Sequence, residues 1–305
     1  MIECFKIQLL SFDYEEEIFN IKKGKKIYGV DCLKPYFKAN PTIIVADPFL
    51  FEYKGKLHLF YESKGLYTPG VLMMTSTSDL VHWSKPVVVL KEPFHLSYPW
   101  VFEENGKVYM IPETGQDGSI RLYEATSDSL SSFRLVKKLL EQPKDKEIRM
   151  GYGDSSIFKK DGKYYLMTML QYSEPVNVLE LYISDKFEGP YTTHPSSPII
   201  KSNKVGRDAG CWIEYQGKLL RVSQDCTHRY GDNVHVSEIS KLSPTEYKEK
   251  ILQESILPTD VSFYKEGGHQ FNAIKFNGQW IVATDAKEYH RLLITRIIHK
   301  IKSRL

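Results

Sequence analysis

The sequence predicts an all-β fold, a five-bladed β-propeller closed by its own two ends and followed by a C-terminal amphipathic helix. Three observations carry this. Five stretches repeat one pattern, an apolar run, a turn with glycine, then a second apolar run, at 46–62, 98–113, 153–169, 208–225 and 268–285. Their turn glycines, Gly55, Gly106, Gly162, Gly217 and Gly278, stand 51, 56, 55 and 61 residues apart, and hairpins recurring every ~50 residues are the spacing of propeller blades. Three of the turns read Asn105-Gly106, Asp161-Gly162 and Asn277-Gly278, pairs that accept positive φ at both central positions of a two-residue hairpin.

Within each repeat the two runs are inner strands A and B of a blade. They are apolar on both faces, as strands packed between neighbouring blades must be. Outer strands C and D follow. Blade one has Val71–Ser78 and Val87–Leu90, and blade two has Ser119–Ser127 and Phe133–Leu140. Blade three has Val178–Ser184 and the segment from Gly189, and blade four has Asn233–Ser240 and Tyr247–Leu252. After Asp285 no outer strands follow. The N-terminal segment 1–45 is expected to supply them, through Phe5–Leu10 and Ile18–Ile21, so that residues 1–286 form one domain.

Residues 287–305 read as a basic amphipathic helix. Leu292, Leu293, Ile294, Ile297, Ile298, Ile301 and Leu305 gather on one side, most within an arc of about 140°. Lys287, Arg291, Arg296, Lys300, Lys302 and Arg304 against Glu288 give this segment a net charge of +5. The whole chain carries +3, so the body is mildly acidic and a nucleic-acid partner is not expected. A helix of this kind lies on an anionic membrane surface or docks on protein.

Cys4, Cys32, Cys211 and Cys226 form no CxxC pair, so a zinc knuckle is not expected; no metal ligands are assigned, and the lone His269 would orient an acid, bind a sugar hydroxyl or ligate a metal. No charged leader and no span of about 20 apolar residues stands out. The expectation is a cytoplasmic protein with free thiols, peripheral at the inner membrane face if the tail meets lipid.

Some motifs resemble known families. Asp47-Pro48, Ser76–Trp83 (STSDLVHW) and Gly268-His269 resemble the five-bladed propellers of family-43 glycoside hydrolases and their levansucrase and invertase relatives. That resemblance implies a general base at Asp47 and a funnel histidine at His269. The chain departs from the hydrolases at Trp100, where they carry an Asp, and at Asp208, where they carry the acid Glu. SYPWVFEENGKVYMIPET from Ser97, GYGDSSIF from Gly151, RDAGCW from Arg207, SQDC from Ser223, RYG from Arg229 and LSPTEY from Leu242 are similar to the N-terminal domain of the glucosamine inositolphosphorylceramide transferases. This second resemblance implies glycan assembly rather than degradation.

Aligning the repeats gathers acids at two places. Asp47, Asp154 and Asp208 open strand A, and Glu62, Glu113, Asp225 and Asp285 close strand B. A hairpin brings both places to one end, so seven carboxylates are expected at one mouth of the funnel. Like charges there raise one another's pKa, a cost that sugar chemistry can use. Arg121, Arg149, Arg207, His228 and Arg229 lie near this mouth in sequence. They would hold a phosphate or pair with the acids. Tyr152, Trp100 and Trp212 would stack on sugar or pack between blades.

The function expected is transfer of a sugar from an activated phosphate donor, a nucleotide sugar among the candidates, to a glycan or lipid-linked acceptor. Asp47 would be the base, Asp154 and Asp208 would position the donor, and Arg207 and Arg149 would hold phosphate. Glu62, Glu113, Arg121, Tyr152, Asp225, His228, Arg229 and His269 complete the expected substrate-binding set, with no cofactor. The rivals are a glycosidase or phosphorylase using Asp208 as acid, and a glycan-binding module without catalysis.

Overall fold

A computed structural model describes residues 1–32, 40–144, 146–210, 212–291 and 301. Five antiparallel sheets stand around one axis. Blade one has strands A to D at Thr42–Tyr53, Lys56–Gly65, Gly70–Thr77 and Val87–Leu90. Blade two has them at Ser97–Glu104, Lys107–Glu113, Ser119–Ala125 and Phe133–Glu141. Blade three has Met150–Lys160, Lys163–Gln171 and Val178–Ser184, with strand D in two fragments at Thr192–Thr193 and Ile200–Lys201. Blade four has Ile213–Tyr215, Lys218–Asp225, Asn233–Leu242 and Tyr247–Gln253.

Blade five combines the two ends of the chain. Its A and B strands are Phe271–Phe276 and Gln279–His290, its C strand is N-terminal Ile2–Phe12, and its D strand is Lys25–Val30. Eleven residue pairs, from Ile2 opposite His290 to Phe12 opposite Trp280, close the ring. Two expectations need correction. Residues 18–21 are not a strand: short 3-10 turns at Glu15–Glu17 and Ile21–Lys23 bury Ile18 and Ile21 against blade four, and Lys25–Val30 forms the outer edge instead. Lys287 does not begin a helix. Strand B runs to His290, and Lys287 is buried with its ammonium donating to the Tyr230 carbonyl. Residues 292–300 and 302–305, most of the expected helix, lie outside the described residues.

The core divides into five clusters, one in each gap between blades. Phe49, Phe60 and Leu72 of blade one meet Tyr98, Val101 and Met110 of blade two. Ile7, Leu9 and Ile281 of blade five meet Val45, Leu59 and Tyr61 of blade one. Each fully buried side chain of this kind contributes about 1.5–3 kcal/mol, which no blade could gain alone.

The hairpin turns follow the sequence reading. Asn105, Asp161 and Asn277, and also Lys54 and Gln216, have φ between 47° and 53°, and the glycine after each lies between 72° and 79°. A Cβ on Gly106 would meet nothing within 4 Å. Gly106→Ala should therefore cost only the left-handed backbone penalty, about 1–2 kcal/mol, read as a shift of the urea midpoint at unchanged m. Gly268→Ala should cost more, because its Cβ would lie 2.3 Å from the Asp285 carbonyl oxygen.

Strand A of blades one to three also bulges near its start. The register slips between Ala46 and Phe49, Ser97 and Trp100, and Gly153 and Ser156. Asp47, Tyr98 and Asp154, each eight residues before its turn glycine, have positive φ there. A bulge of this kind re-aims the side chain it carries.

Candidate active site

Successive residues of a strand point to opposite faces, so the distance of an acid from its turn glycine decides where it points. Asp47 and Asp154 stand eight before their glycines, and Glu62, Glu113 and Asp285 stand seven after theirs. Asp208 stands nine before and Asp225 eight after, one residue out of phase. The structure follows this parity, and the expected seven carboxylates become five.

Asp208 is turned away from the funnel into a buried ion cluster. Its Oδ1 accepts from Arg221 Nη1 at 2.9 Å, and Arg221 also donates to both oxygens of Glu249, at 2.8 and 2.7 Å. Asp225 accepts from the Thr227 backbone and lies 3.1 Å from His235 Nε2, with Gln224 in the phase it lacks. Gln224 donates to Asp154 Oδ2 at 2.7 Å and to the Asp208 carbonyl at 2.8 Å.

Other expected members are not part of the cavity wall either. Arg121 is held by Asp117 and lies over the Phe94 ring, away from the funnel cavity. Arg149 and His228 are exposed, and Arg229 pairs with Asp232 and Glu266 on the surface. Tyr152 is buried between blades two and three, its hydroxyl donating to the Glu141 carbonyl at 3.2 Å. Trp100 and Trp212 likewise pack between blades.

What remains is compact. A cavity of about 410 Å³ at the funnel mouth is lined by Asp47, Glu62, Glu113, Arg207 and His269, together with Lys64, His95 and Tyr230. Clefts of about 520 to 770 Å³ on the outer faces hold no comparable group of buried acids. Asp154 lies beneath Arg207, whose Nε donates to its Oδ2 at 2.5 Å, while Arg207 Nη2 reaches Glu113 Oε2 at 3.3 Å. The Arg207 guanidinium also lies 5.2 Å from the Tyr230 ring centre.

On the opposite wall His269 bridges two acids. Its Nε2 is 3.3 Å from Asp47 Oδ1 and its Nδ1 is 2.7 Å from Asp285 Oδ2. Burial disfavours the imidazolium, but Asp285 and Asp47 outweigh it and raise the His269 pKa. Asp285 also accepts the backbone N–H groups of His269, Gln270 and Asp47, at 2.8, 3.1 and 3.2 Å. Asp47 Oδ2 in turn accepts the Tyr98 N–H at 2.9 Å, so these contacts join blades five, one and two at the axis.

Burial, with Asp154 and Asp285 adding to it against His269, pushes Asp47 up to about 6. Burial and Asp154, against the pull of Arg207, push Glu113 up to about 8. Glu62 is raised well above the ordinary range by burial and by Asp47. His95, 3.5 Å from Glu62, is lowered to about 4 by burial and by Lys64. Its Nδ1 accepts the Gly70 N–H, so the proton sits on Nε2 and faces Glu62. At neutral pH Asp47 is thus mostly ionised, Glu113 mostly protonated and His95 neutral, while Glu62 is displaced toward its protonated form. Glu62 Oε1 and both amide atoms of Gln270 are buried without a hydrogen-bond partner among the described residues.

This set can take a proton at Asp47, give one from Glu113, and present donors to hydroxyls. Asp47, His269 and Asp285 each offer a ligand atom within 4.8 Å of the others, a geometry that admits a cation in place of the imidazolium proton. Sequence reasoning missed Lys64, His95, Tyr230 and Gln224. Residue parity would have found Gln224, and the RYG motif from Arg229 contains Tyr230, but no sequence signal marks the loop residue His95.

The family described as "Glucosamine inositolphosphorylceramide transferase 1, N-terminal" matches residues 29–286. The chain belongs to this family. Glucosamine inositolphosphorylceramide transferase 1 of Oryza sativa subsp. japonica is 30% identical over 270 residues, covering 83% of this chain and 34% of that protein. The protein of the same name from Arabidopsis thaliana is 31% identical over 242 residues, covering 77% and 30%. The chain therefore spans about a third of the length of these transferases.

Solved structures share the propeller fold with this family member. The family 117 glycoside hydrolase Zg3597 of Zobellia galactanivorans has a TM-score of 0.56 at 13% identity, covering 95% of this chain and 96% of that one. The family-43 protein BlXynB of Bacillus licheniformis has a TM-score of 0.53 at 17% identity, covering 70% and 43%.

Proposed function

We propose that the chain is a glycosyltransferase-like enzyme of surface glycan assembly, moving a sugar from an activated phosphate donor to a glycan or lipid-linked acceptor. The transferase names of its relatives support the reaction class. The observation that carries it is the composition of the funnel cavity, where Asp47 is poised as a base beside Arg207 and Lys64. A phosphate group entering an acid-lined pocket meets repulsion unless the acids are neutral. A protonated Glu113, and a Glu62 displaced toward its neutral form, lessen that repulsion, so that Lys64 and the outer edge of the Asp154-paired Arg207 can attract the donor. The departing phosphate needs no strong acid, which suits a funnel from which Asp208 is turned away. The basic segment 291–305 would bring the pocket to an anionic, cytoplasmic membrane face carrying a lipid acceptor.

Thermal-shift measurement with nucleoside diphosphate sugars tests this. A donor at 100 times its Kd should stabilise the protein by about 2.7 kcal/mol, a rise of roughly 5 °C in Tm. Lys64→Ala should weaken that donor about tenfold and leave the unliganded Tm unchanged. Absence of any shift across the panel would remove the reading. A second reading, a glycosidase or phosphorylase, is favoured by the split between Asp47 and Glu113, since a base near 6 and an acid near 8 also suit glycoside cleavage. Turnover of aryl glycosides without nucleotide-sugar binding would select it.

A further inference from the structure

Away from the funnel, where the ring closes, three segments bring together sulfur, nitrogen and oxygen ligands. Cys4 lies on strand C of blade five and pairs in register with Glu288 on strand B, as Ile2 pairs with His290. Glu288 and His290, two apart on one strand, share a face. Cys32 arrives from the end of strand D. Its Sγ lies 3.4 Å from Glu288 Oε1, and His290 Nε2 lies 2.7 Å from the same oxygen. The three ligand atoms all fall within 4.8 Å of one another. Cys4 stands beside Cys32 but outside this group of three, its thiol directed at the Ile2 carbonyl 3.8 Å away. Both cysteines are buried, whereas Glu288 and His290 keep 29% and 27% of their side chains exposed, which leaves an entry path.

We propose that Cys32, Glu288 and His290, joined by Cys4 when its thiol turns from the Ile2 carbonyl, form a site for zinc(II) that staples the N-terminal strand pair to the C-terminal strand. Two thiolates, an imidazole and one carboxylate oxygen are a donor set for zinc, and a poor one for magnesium or calcium. In a tetrahedral site with Zn–S of about 2.3 Å and Zn–N or Zn–O of about 2.0–2.1 Å, sulfur and oxygen stand roughly 3.5 Å apart and nitrogen and oxygen roughly 3.3 Å. The 3.4 Å between Cys32 and Glu288 already fits, and His290 need withdraw by only about half an ångström.

Lys6 supports the arrangement from the other side. Its ammonium lies 2.6 Å from Glu288 Oε2, which leaves Oε1 to serve as a single ligand. The charges balance as well. Zinc binding expels the two thiol protons to solvent, so one dication faces two thiolates and one carboxylate, and Lys6 neutralises the remaining negative charge.

The test uses the full chain, purified in reducing buffer, stripped with a chelator and titrated with cobalt(II) and then zinc(II). The expected result is one cobalt per chain with a thiolate-to-cobalt charge-transfer band, displaced by one equivalent of zinc, and a higher Tm for the zinc form. His290→Gln and Cys32→Ser should each weaken zinc by more than about 100-fold, beyond the 10–100-fold that loss of an outer partner costs. Cys226→Ala should leave zinc affinity unchanged. His290 is partly exposed, so its variant reports on the metal even where a cysteine variant fails to fold. Less than half an equivalent of metal, a cobalt spectrum without the thiolate band, unchanged affinity in His290→Gln, or a Cys4–Cys32 disulfide in the native protein would each overturn the proposal.

Discussion

Arg221→Ala is expected to destabilise the protein by about 3–5 kcal/mol, the largest loss we anticipate from one side-chain truncation. Arg221 is 1% exposed and is surrounded by acceptors: Asp208, both oxygens of Glu249, and the Val205 carbonyl at 2.9 Å. Truncation leaves two buried carboxylates with no cation between them. Burial works against Glu249, but Arg221 and the hydroxyls around it hold its pKa below the ordinary value. Burial instead pushes Asp208 up to about 7, with Arg221 pulling against it.

Without Arg221 both acids would titrate higher in the folded chain than in the unfolded one. The native state then binds more protons than the unfolded state, so the variant loses stability as pH rises. The penalty should therefore grow between pH 5 and pH 8. Urea denaturation at both pH values measures it. A loss under 1 kcal/mol at pH 8, with m unchanged, would show that the cluster does not hold blade four together. Arg221→Met combined with Asp208→Asn and Glu249→Gln should recover much of the loss, because no buried charge then lacks a partner.

The same cluster shows what could be read from the sequence. Five glycine turns are a local signal, since positive φ at Asn105 and Gly106 depends on those two residues alone. The blades, and the supply of a strand by Phe5–Leu10, followed from such signals and from counting strands. Asp47, Asp154, Glu62, Glu113 and Asp285 were also accessible, because strand parity is local. Asp208 and Asp225 were misplaced because they were grouped by proximity to the hairpin rather than by phase. Arg121 and Arg229 were misplaced for a different reason. A cation's partner is set by packing, and nothing in the sequence says that Asp117 rather than a funnel acid will hold Arg121. The cysteines mark the outer limit of legibility. Cys32 and Glu288 are 256 residues apart, so no spacing motif joins them, and only ring closure brings them within 3.4 Å.

Asp47→Asn should lower turnover by about 10²–10⁴-fold, the range for a lost general base. The substitution keeps the size of the side chain and an oxygen able to accept the Tyr98 N–H, so the bulge should survive and the fold with it. The wild-type pH profile of kcat/KM should be bell-shaped. Its acid limb lies near 6, where burial has raised Asp47, and its alkaline limb near 8, where burial and Asp154 have raised Glu113. Below 6 the base is protonated. Above 8 Glu113 has lost its proton and its charge repels both the ionised Asp47 and an incoming phosphate. Glu113→Gln should flatten the alkaline limb and leave the acid limb in place. Infrared titration supplies a check that needs no substrate. Loss in Glu113→Gln of the carboxyl component that titrates near 8, with the absorption of Asp208 and Glu62 retained, is the expected signature. If every carboxyl of the native protein ionises below pH 5, neither limb can arise from these residues, and the chemistry of the funnel must rest on another pair.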